Sequence, residues 1–415
     1  MKVILSESLN DMITLQEARK RIHKAVKRSQ PDLVSLTWAV GCVAAEDIVA
    51  PINVPEFPSS AMDGIALRIA DLGGDGPWRL PIQSVIAAGD STQVTLKDGY
   101  AVKVMTGAPL AKGTDAVIPI EDVSIESNQV IVREKPPRGT FVRPLGNDIT
   151  SGQILFRKGE LLKPADIGVL ASVGLTSVMV IPRPRIALIS TGSEIVEPGE
   201  KLKYGQIYDS NSPTLYSLLT CDRFPVTTRI RVSTNDLEPL YETLQECLEN
   251  HDLVITTGGV SMGDYDFIPK ITKTLGGKIL FHKVAVKPGK PTLMADFGGR
   301  WLISLPGNPV SAVVGYFLYV RQVISRLSGV HYEPQSSWAT LASDMTITGN
   351  RYNVIGARLE NTGDSLFAYP SSRQESGRLS SIRGISGLIM VEAGARTIKK
   401  GSRVFVELTD RGLKR

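Results

Sequence analysis

The sequence predicts a multidomain protein of the α/β class. A central α/β domain with a mostly parallel sheet is joined by two β-rich domains and a small linking α+β domain. Three observations lead to this prediction. Strand and helix candidates alternate from about residue 185 to residue 329, a pattern typical of parallel sheets with crossover helices. Short alternating runs lie on both sides of this stretch, and 415 residues are more than one core usually holds.

The chain opens with a predicted helix. The capping box Thr14-x-x-Glu17 comes just before apolar residues at helical spacing, namely Leu15, Ala18 and Ile22. We expect residues 1–30 to carry this helix and to pack it on the α/β domain.

Residues 51–143 lack a helical period. The runs 100–104 and 129–132 alternate in polarity and are separated by clusters of Gly, Pro and Asp, which favours a β-rich domain. Residues 31–50 and 144–184 are expected to form the linking domain. This domain contains a helix from Pro164 to Ser172, with Pro at its start and Gly174 after its end, followed by a strand at 177–181.

Residues 185–332 carry the predicted α/β domain. Each of its helices has a credible start, at Ser212-Pro213, Thr234-Asn235, Asp264 and Asn308-Pro309. After about residue 333 the alternation stops, and strand signals return near 388–391 and 403–406. We expect residues 333–415 to form a C-terminal β-barrel-like domain.

Three strands of the α/β domain end in turns with small polar residues, at 191–194, 256–264 and 305–309. Ligands of open α/β sheets bind outside the carboxyl ends of the strands, so these turns mark the floor of a site. Asn308 suits a helix N-cap and Pro309 the first helical position, and such a helix end suits an anion. The G-G-x-x-x-G spacing at 258–263 is neither a Rossmann nor a Walker fingerprint, and it could be only a tight turn. Polar residues beyond it add nothing to a core and favour a binding role, namely Ser261, Asp264 and Asp266.

The segment 282–291 concentrates cations between Pro and Gly residues. In a strand, Lys283 and Lys287 would share one face. A run of charge is usually a solvated face, but an anionic ligand near the following turn would also explain these lysines together with Lys290.

The composition of the chain argues against several classes of function. A net charge of +5 without a long basic block does not favour nucleic-acid binding. The three cysteines stand far apart and no histidine has metal-ligand spacing, which argues against disulfides and zinc and favours a cytoplasmic protein. We expect neither a signal peptide nor a membrane span, because the N-terminal apolar run is short and the apolar stretch 310–320 ends at Arg321.

Taken together, the motifs resemble those of the molybdopterin molybdenumtransferases, the molybdenum-insertion enzymes that include the E-domain of gephyrin. The resemblance runs from about Thr14 to Leu408 and depends on many segments in one order. They are 58–64 (PSSAMDG), 103–109 (KVMTGAP), Arg143 with 146–149 (GNDI), 184–187 (PRIA), 190–194 (STGSE), 209–211 (DSN), 257–264 (TGGVSMGD), 287–291 (KPGKP) and 306–312 (PGNPVSA). Ile65 and Asn147 depart from the usual Tyr and Glu.

The resemblance implies an elongated homodimer of four-domain subunits, whose α/β domain is like that of the stand-alone molybdopterin adenylyltransferases. It also implies the reaction, in which molybdate enters the dithiolene of adenylylated molybdopterin, AMP is released and the molybdenum cofactor forms. A divalent cation, usually Mg²⁺, is needed. The pterin is a small-molecule substrate, and an upstream adenylyltransferase is a possible partner.

The resemblance assigns roles to particular residues. The catalytic candidates are Asp264, Asp266, Asp236, Glu194, Lys283 and Lys287, of which Asp264 and Asp266 are also the candidate metal ligands. The substrate-binding candidates on the α/β domain are Thr191, Gly192, Ser193, Gly258, Gly259, Ser261, Lys290, Pro306, Gly307, Asn308 and Pro309. Three more, Asp63, Thr106 and Asp148, would come from the partner subunit.

Two other functions stay open. A molybdopterin adenylyltransferase would share the α/β fold, but it would leave the flanking β-rich domains unexplained. A non-enzymatic molybdopterin-binding scaffold is the second alternative.

Overall fold

The structure is a computed structural model. It describes residues 12–224, 226–232, 237–260, 267–330, 334–363, 365–371 and 377–409. The chain divides into two compact units. The first unit comprises Met1–Asp32, Gly41–Val43 and Ile181–Arg415, and the second unit comprises Leu33–Val40 and Ala44–Val180. The finer division into five segments stays a prediction.

A six-stranded sheet forms the centre of the first unit. In spatial order its strands are Val226–Val232, Ile186–Thr191, Leu253–Thr257, Trp301–Leu305, Leu293–Asp296 and Lys278–His282. The first four are parallel, and the last two run antiparallel to their neighbours. The antiparallel edge follows from a short hairpin, closed by a hydrogen bond from Phe297 N to Arg300 O at 2.8 Å. A mostly parallel sheet is thereby confirmed.

Helices cover both faces of this sheet because the strands are apolar on both sides. Ile186 and Leu188 face one core, while Ala187 and Ile189 face the other. The helices of the first face are Leu15–Ala25, Asn211–Cys221 and the consecutive segments Pro309–Gly315, Tyr316–Val320 (π-helical) and Arg321–Ser328. Those of the second face are Leu237–Asn250 and Ile268–Thr274.

The N-terminal helix is confirmed. It spans Leu15–Ala25, and the Thr14 hydroxyl accepts a hydrogen bond from Glu17 N at 3.1 Å. Leu15, Ala18 and Ile22 are buried in the core that the sheet shares with the helices, as their spacing predicts.

A closed β-barrel completes the first unit. Its strands, in order around the barrel, are Tyr352–Thr362, Ser365–Pro370, Ser336–Leu341, Arg403–Leu408 and Gly387–Val391, and the last pairs again with the first. The two-residue strand Val286–Lys287 adds to Tyr352–Asn353 in parallel. Shorter elements are the 3₁₀-helix Leu379–Ile382 and two small pairs, Met345–Ile347 with Arg396–Ile398 and Ile195–Val196 with Ile207–Tyr208.

The second unit is built around another six-stranded sheet. Its strands, in spatial order, are Ala116–Pro119, Gly64–Leu67, Ala101–Val104, Trp78–Ile86, Gln129–Val132 and Ser124–Glu126. Smaller elements are the pairs Ser59–Ser60 with Val142–Arg143 and Ile48–Val49 with Ile154–Phe156, the 3₁₀-helices Ile69–Asp71 and Ile120–Asp122, and the helices Leu36–Ala39 and Pro164–Ser172. The short strands Asp32–Ser35, Val43–Ala44 and Ser177–Ile181 each contain a point at which the chain passes from one unit to the other. The predicted helix Pro164–Ser172 is confirmed, and Gly174 after it has a φ of 79°.

None of the helices within the described ranges has the length and apolar character that a membrane crossing requires.

Candidate functional site

The three strand-end turns line one pocket at the carboxyl edge of the parallel sheet. The pocket has a volume of about 830 Å³. Most of the predicted substrate-binding residues of the α/β domain belong to its lining, which includes Thr191, Gly192, Ser193, Glu194, Gly258, Gly259, Pro306, Gly307, Asn308 and Pro309. The structure therefore brings together segments that are more than a hundred residues apart in sequence. Their binding role stays a prediction.

The turn after Leu253–Thr257 depends on two glycines. Gly258 and Gly259 have φ values of 89° and 64°, in the left-handed region that favours glycine. A Cβ on Gly258 would lie 2.6 Å from the carbonyl oxygen of Thr191, so no side chain fits there. Gly258 N donates to Leu305 O at 3.0 Å, and the Thr191 hydroxyl donates to Thr257 O at 3.1 Å. These bonds hold the three strand ends side by side.

Glu194 is the predicted catalytic residue that the pocket contains. It follows the strand Ile186–Thr191, and its side chain is exposed. Its carboxylate folds back over the turn and lies close to Gly192. A Cβ on Gly192 would be only 2.7 Å from Glu194 Oε2. Glycine at 192 therefore leaves room for the carboxylate.

The turn after Trp301–Leu305 leads directly into a helix. Asn308 is the N-cap residue, with φ −64° and ψ 123°, and Pro309 is the first helical residue, as predicted. The side-chain amide of Asn211 donates a hydrogen bond to Gly307 O at 2.8 Å. Asn211 is the first residue of another helix, so two helices begin at the pocket and are tied together there.

Asp209 is a pocket residue that the prediction missed, although its motif DSN contributed to the resemblance. Only 3% of Asp209 is exposed, and the residue lines the pocket. Its Oδ1 accepts a hydrogen bond from Ser212 N at 3.0 Å, whereas its Oδ2 is buried and has no hydrogen-bond partner within the described part of the chain. An aspartate three residues before a Ser-Pro helix start reads as a cap, and nothing in the sequence indicates the free oxygen.

The expectation that Lys283 and Lys287 share one strand face is wrong. The strand Lys278–His282 ends before Lys283, whose φ of 75° turns the chain, and Val286–Lys287 pairs with the barrel instead. Positive φ is uncommon for a lysine, and sequence periodicity does not predict it. Lys290 is exposed, and the neighbouring Pro291 lines the pocket.

Lys287 lies in a different, smaller cavity beside the barrel. Its Nζ donates to the Thr348 hydroxyl at 2.8 Å, and the cavity also contains Asn353 and Ser381. Ser381 also lines an adjoining cavity of about 380 Å³, and the charged residues in its described lining are Arg358, Arg378 and Arg383. Guanidinium and hydroxyl donors of this kind suit an oxyanion.

Asp63 and Thr106 contact each other in the second unit. Both the backbone N–H of Thr106 (2.6 Å) and its hydroxyl (2.7 Å) donate to Asp63 Oδ1. The hydroxyl, the backbone N–H and the charge of Lys103 together keep the pKa of Asp63 below its ordinary value. Asp148, in the same unit, is exposed, and its N–H donates to Val54 O at 3.0 Å.

The remaining predictions lie outside the described residues, namely Asp236, Ser261, Asp264 and Asp266. Within the described ranges, no cluster of three or more His, Cys, Asp or Glu side chains is placed to hold a metal ion. Among the described residues that line the pocket, the carboxylates are those of Glu194 and Asp209.

Comparison with known families covers most of the chain. Residues 13–174 match the family model described as MoeA N-terminal region (domain I and II), residues 187–326 match the one described as probable molybdopterin binding domain, and residues 339–409 match MoeA C-terminal region (domain IV). The pocket lies largely within the second match. Fold and site thus define a multidomain protein with a molybdopterin-binding type of α/β domain.

Individual relatives agree with this class. The chain is 34% identical to the molybdopterin molybdenumtransferase of Staphylococcus epidermidis and 32% identical to that of Staphylococcus aureus, in each case over 96% of both chains. The solved structure of the molybdopterin biosynthesis MoeA protein from Pyrococcus horikosii is 29% identical, with a TM-score of 0.76, and the match covers 96% of this chain and 100% of that one. The chain belongs to the molybdopterin molybdenumtransferase family.

Proposed function

We propose that this protein inserts molybdate into the dithiolene of adenylylated molybdopterin, releasing AMP and forming the molybdenum cofactor. The observation that carries the proposal is the pocket of about 830 Å³ at the carboxyl edge of the parallel sheet. It lies in the region that matches a molybdopterin-binding domain, in a chain similar over nearly its whole length to named molybdenumtransferases.

Two features of the pocket suit a phosphate-bearing substrate. The glycine turn at 258–259 and the helix that begins at Pro309 meet at its floor, tied by the bond from Gly258 N to Leu305 O. Backbone N–H groups at such turns and helix starts bind phosphate oxygens. We assign Gly258, Gly259 and Asn308 to the pyrophosphate.

The basic cavity near Lys287 suits the second substrate. Molybdate is a dianion, and Lys287 together with the arginines at 358, 378 and 383 supplies positive charge close to hydroxyl groups. Lys283 and Lys290 stay candidates for the same electrostatic role.

Release of AMP requires cleavage of the phosphoanhydride. Glu194 would orient the attacking water from the pocket wall, with Asp236, Asp264 and Asp266 as further candidates from the sequence. Mg²⁺, if bound by Asp264 and Asp266, would screen the phosphate charge. As part of the same proposal the protein acts as a cytoplasmic homodimer, in which Asp63, Thr106 and Asp148 complete the site of the other subunit.

The test is AMP release from adenylylated molybdopterin on addition of molybdate, with tungstate and no oxyanion as parallel reactions. Oxyanion-dependent AMP release supports the proposal. Synthesis of adenylylated molybdopterin from ATP and molybdopterin would instead indicate an adenylyltransferase. Tight pterin binding without either reaction would indicate a scaffold. The additional matches at 13–174 and 339–409 favour insertion over a stand-alone adenylyltransferase.

A further inference from the structure

We propose that Asp209 is a substrate-binding residue whose free oxygen, Oδ2, accepts a hydrogen bond from an uncharged N–H or O–H donor of the ligand. This inference rests on the proposed function and adds to it, because it assigns an orientation to the substrate in the pocket. No such role for Asp209 follows from its sequence motif alone.

The Asp209 carboxylate is buried, with 3% of the residue exposed, and its Oδ1 accepts a hydrogen bond from Ser212 N at 3.0 Å. Its Oδ2 is also buried and has no hydrogen-bond partner among the residues that the structure describes. Leaving a charged oxygen in that state is unfavourable, since buried polar groups are normally paired. The neighbouring Ser212 hydroxyl is likewise buried and has no hydrogen-bond partner in the described ranges, so it does not donate to Oδ2.

The described lining of the pocket carries negative charge. Among the described lining residues the charged ones are Glu194 and Asp209, and none is Lys, Arg or His. A phosphate or molybdate beside Asp209 would be repelled, whereas an N–H or O–H group would be attracted. The anionic groups of the substrate therefore belong at the turns near Gly258 and Asn308, and a neutral, donor-bearing group belongs at Asp209.

Adenylylated molybdopterin carries three groups with this chemistry. They are the aminopyrimidine edge of the pterin, the pair of ribose hydroxyls and the 6-amino group of the adenine. Each presents donors to a carboxylate, so the experiment must separate them. The probes are pterin (2-amino-4-oxopteridine), AMP and 2′,3′-dideoxy-AMP, titrated into the full-length protein by calorimetry.

Two variants test whether Asp209 Oδ2 accepts a hydrogen bond from the ligand. Asp209→Asn keeps an oxygen for Ser212 N but puts an amide donor where Oδ2 was, and Asp209→Ser keeps one oxygen and removes the other. The matched control is Asp166→Asn, because Asp166 Oδ2 also accepts a backbone N–H at a helix start, from Lys163 at 2.7 Å in the second unit. Thermal unfolding checks that each variant folds.

We expect both Asp209 variants to weaken binding of one probe by about 10-fold or more, the typical cost of leaving a buried donor unpaired, and the other probe by less than about 2-fold. Loss of pterin binding identifies the aminopyrimidine edge. Loss of AMP binding identifies the ribose if dideoxy-AMP binds wild type and variant equally, and the adenine amino group if the binding of dideoxy-AMP falls as well.

Three results would overturn the inference. Affinities for pterin and AMP could both stay unchanged, or both could fall together, as a purely structural role would cause. Alternatively, the Mg²⁺ dependence of AMP release could shift while both affinities stay the same, which would make Asp209 a cation ligand. Wild-type protein that releases no AMP would refute the proposed function instead, because the binding measurements do not depend on turnover.

Discussion

The side-chain amide of Asn211 donates a hydrogen bond to the backbone carbonyl of Gly307 at 2.8 Å. This bond joins the starts of the two helices that begin at the pocket. Eleven residues after Asn211, the carboxylate of Asp222 accepts bonds from the Arg321 guanidinium (2.5 and 2.9 Å) and from the Tyr316 hydroxyl (2.6 Å). Tyr316 and Arg321 belong to the helical segments that follow Pro309–Gly315 without a break. The helix Asn211–Cys221 is therefore tied to this run of segments twice, by one bond at the pocket and by a buried cluster away from it.

Asn211→Ala is expected to loosen the 306–309 turn without unfolding the protein. One neutral hydrogen bond contributes about 0.5–1.5 kcal/mol, so the variant should lose roughly 2- to 10-fold in substrate affinity. The measurement is KM for the adenylylated pterin, compared with the thermal midpoint. Asn250→Ala is the control, since Asn250 Nδ2 also donates to a backbone carbonyl, that of Glu246, at a helix end outside the pocket lining. Equal effects of the two changes would contradict this prediction.

Arg321→Met is expected to destabilise the protein strongly, because it leaves the carboxylate of Asp222 buried without its cation. Arg321 and Asp222 are 5% and 2% exposed, and breaking a buried ion pair typically costs about 3–5 kcal/mol. Arg185→Met is the matched control, because the Arg185–Asp252 pair is solvent-exposed and contributes about 0–1 kcal/mol. Urea unfolding of both variants gives the comparison. If Arg321→Met lowered the free energy of unfolding by less than Arg185→Met does, the buried cluster of Asp222, Tyr316 and Arg321 would not stabilise the protein.

Gly258→Ala is expected to abolish activity and lower stability. The residue has φ 89°, and a Cβ would lie 2.6 Å from a backbone oxygen that cannot move without displacing the strand end. Gly276→Ala is the control, because Gly276 has φ 77° but nothing within 4 Å of the added carbon. The free energy of unfolding of the control should fall by only about 1–2 kcal/mol, the cost of a left-handed φ for a residue with a Cβ. Equal stability and equal activity of the two variants would show that the short distance between the Gly258 backbone and the Thr191 carbonyl oxygen does not limit the side chain at position 258.

Thr106→Val is expected to raise the pKa of Asp63 towards its ordinary value of 3.8, since the Thr106 hydroxyl bond is the largest cause of its depression. A lowered pKa in the folded state means that the bond stabilises at pH values above the unfolded pKa. That contribution disappears as the pH falls through the folded pKa. The carboxyl ¹³C shift of Asp63 against pH measures the change. Thr140→Val, whose hydroxyl donates to the Pro137 carbonyl, should leave the Asp63 titration unaltered.

A mixture of inactive Asp63→Ala and inactive Asp264→Asn chains is expected to regain activity if the proposed dimer shares its sites. A heterodimer has one site damaged twice and one site intact. Random exchange places half of the chains in heterodimers, so about a quarter of all sites should recover. The readout is AMP release before and after demonstrated subunit exchange. An absence of recovery would mean that both residues act within one chain, or that Asp63 only holds the Thr106 turn.

Sequence patterns predicted much of this architecture because they depend on local physics. The N-cap at Thr14, the Pro and Gly that bound Pro164–Ser172, and the N-cap at Asn308 all act within a few residues, and each is confirmed. The other half of the predicted capping box does not form, because the Glu17 carboxylate accepts a bond from Arg21 Nε at 2.8 Å. The alternation of strands and helices likewise implied the mostly parallel sheet and the meeting of its strand-end turns at one edge.

What local patterns could not predict depends on contacts between distant residues. Lys283 has a φ of 75°, and Val286–Lys287 pairs with the barrel strand that begins at Tyr352. The periodicity within 282–291 carries no information about that pairing partner. The antiparallel edge of the central sheet is a second example, because it depends on the pairing of Leu293–Asp296 with Lys278–His282 and with Trp301–Leu305.

The sequence by itself determined the domain classes, the sheet edge that carries the pocket and, through ordered motifs, the family. Only the tertiary structure decided which polar atoms are satisfied. Asp209 and Asp166 both accept a backbone N–H at a helix start, but Asp209 is buried in a pocket and its Oδ2 has no partner among the described residues. Burial and pairing depend on every neighbour in space, so an unpaired oxygen becomes visible only when the chain is folded.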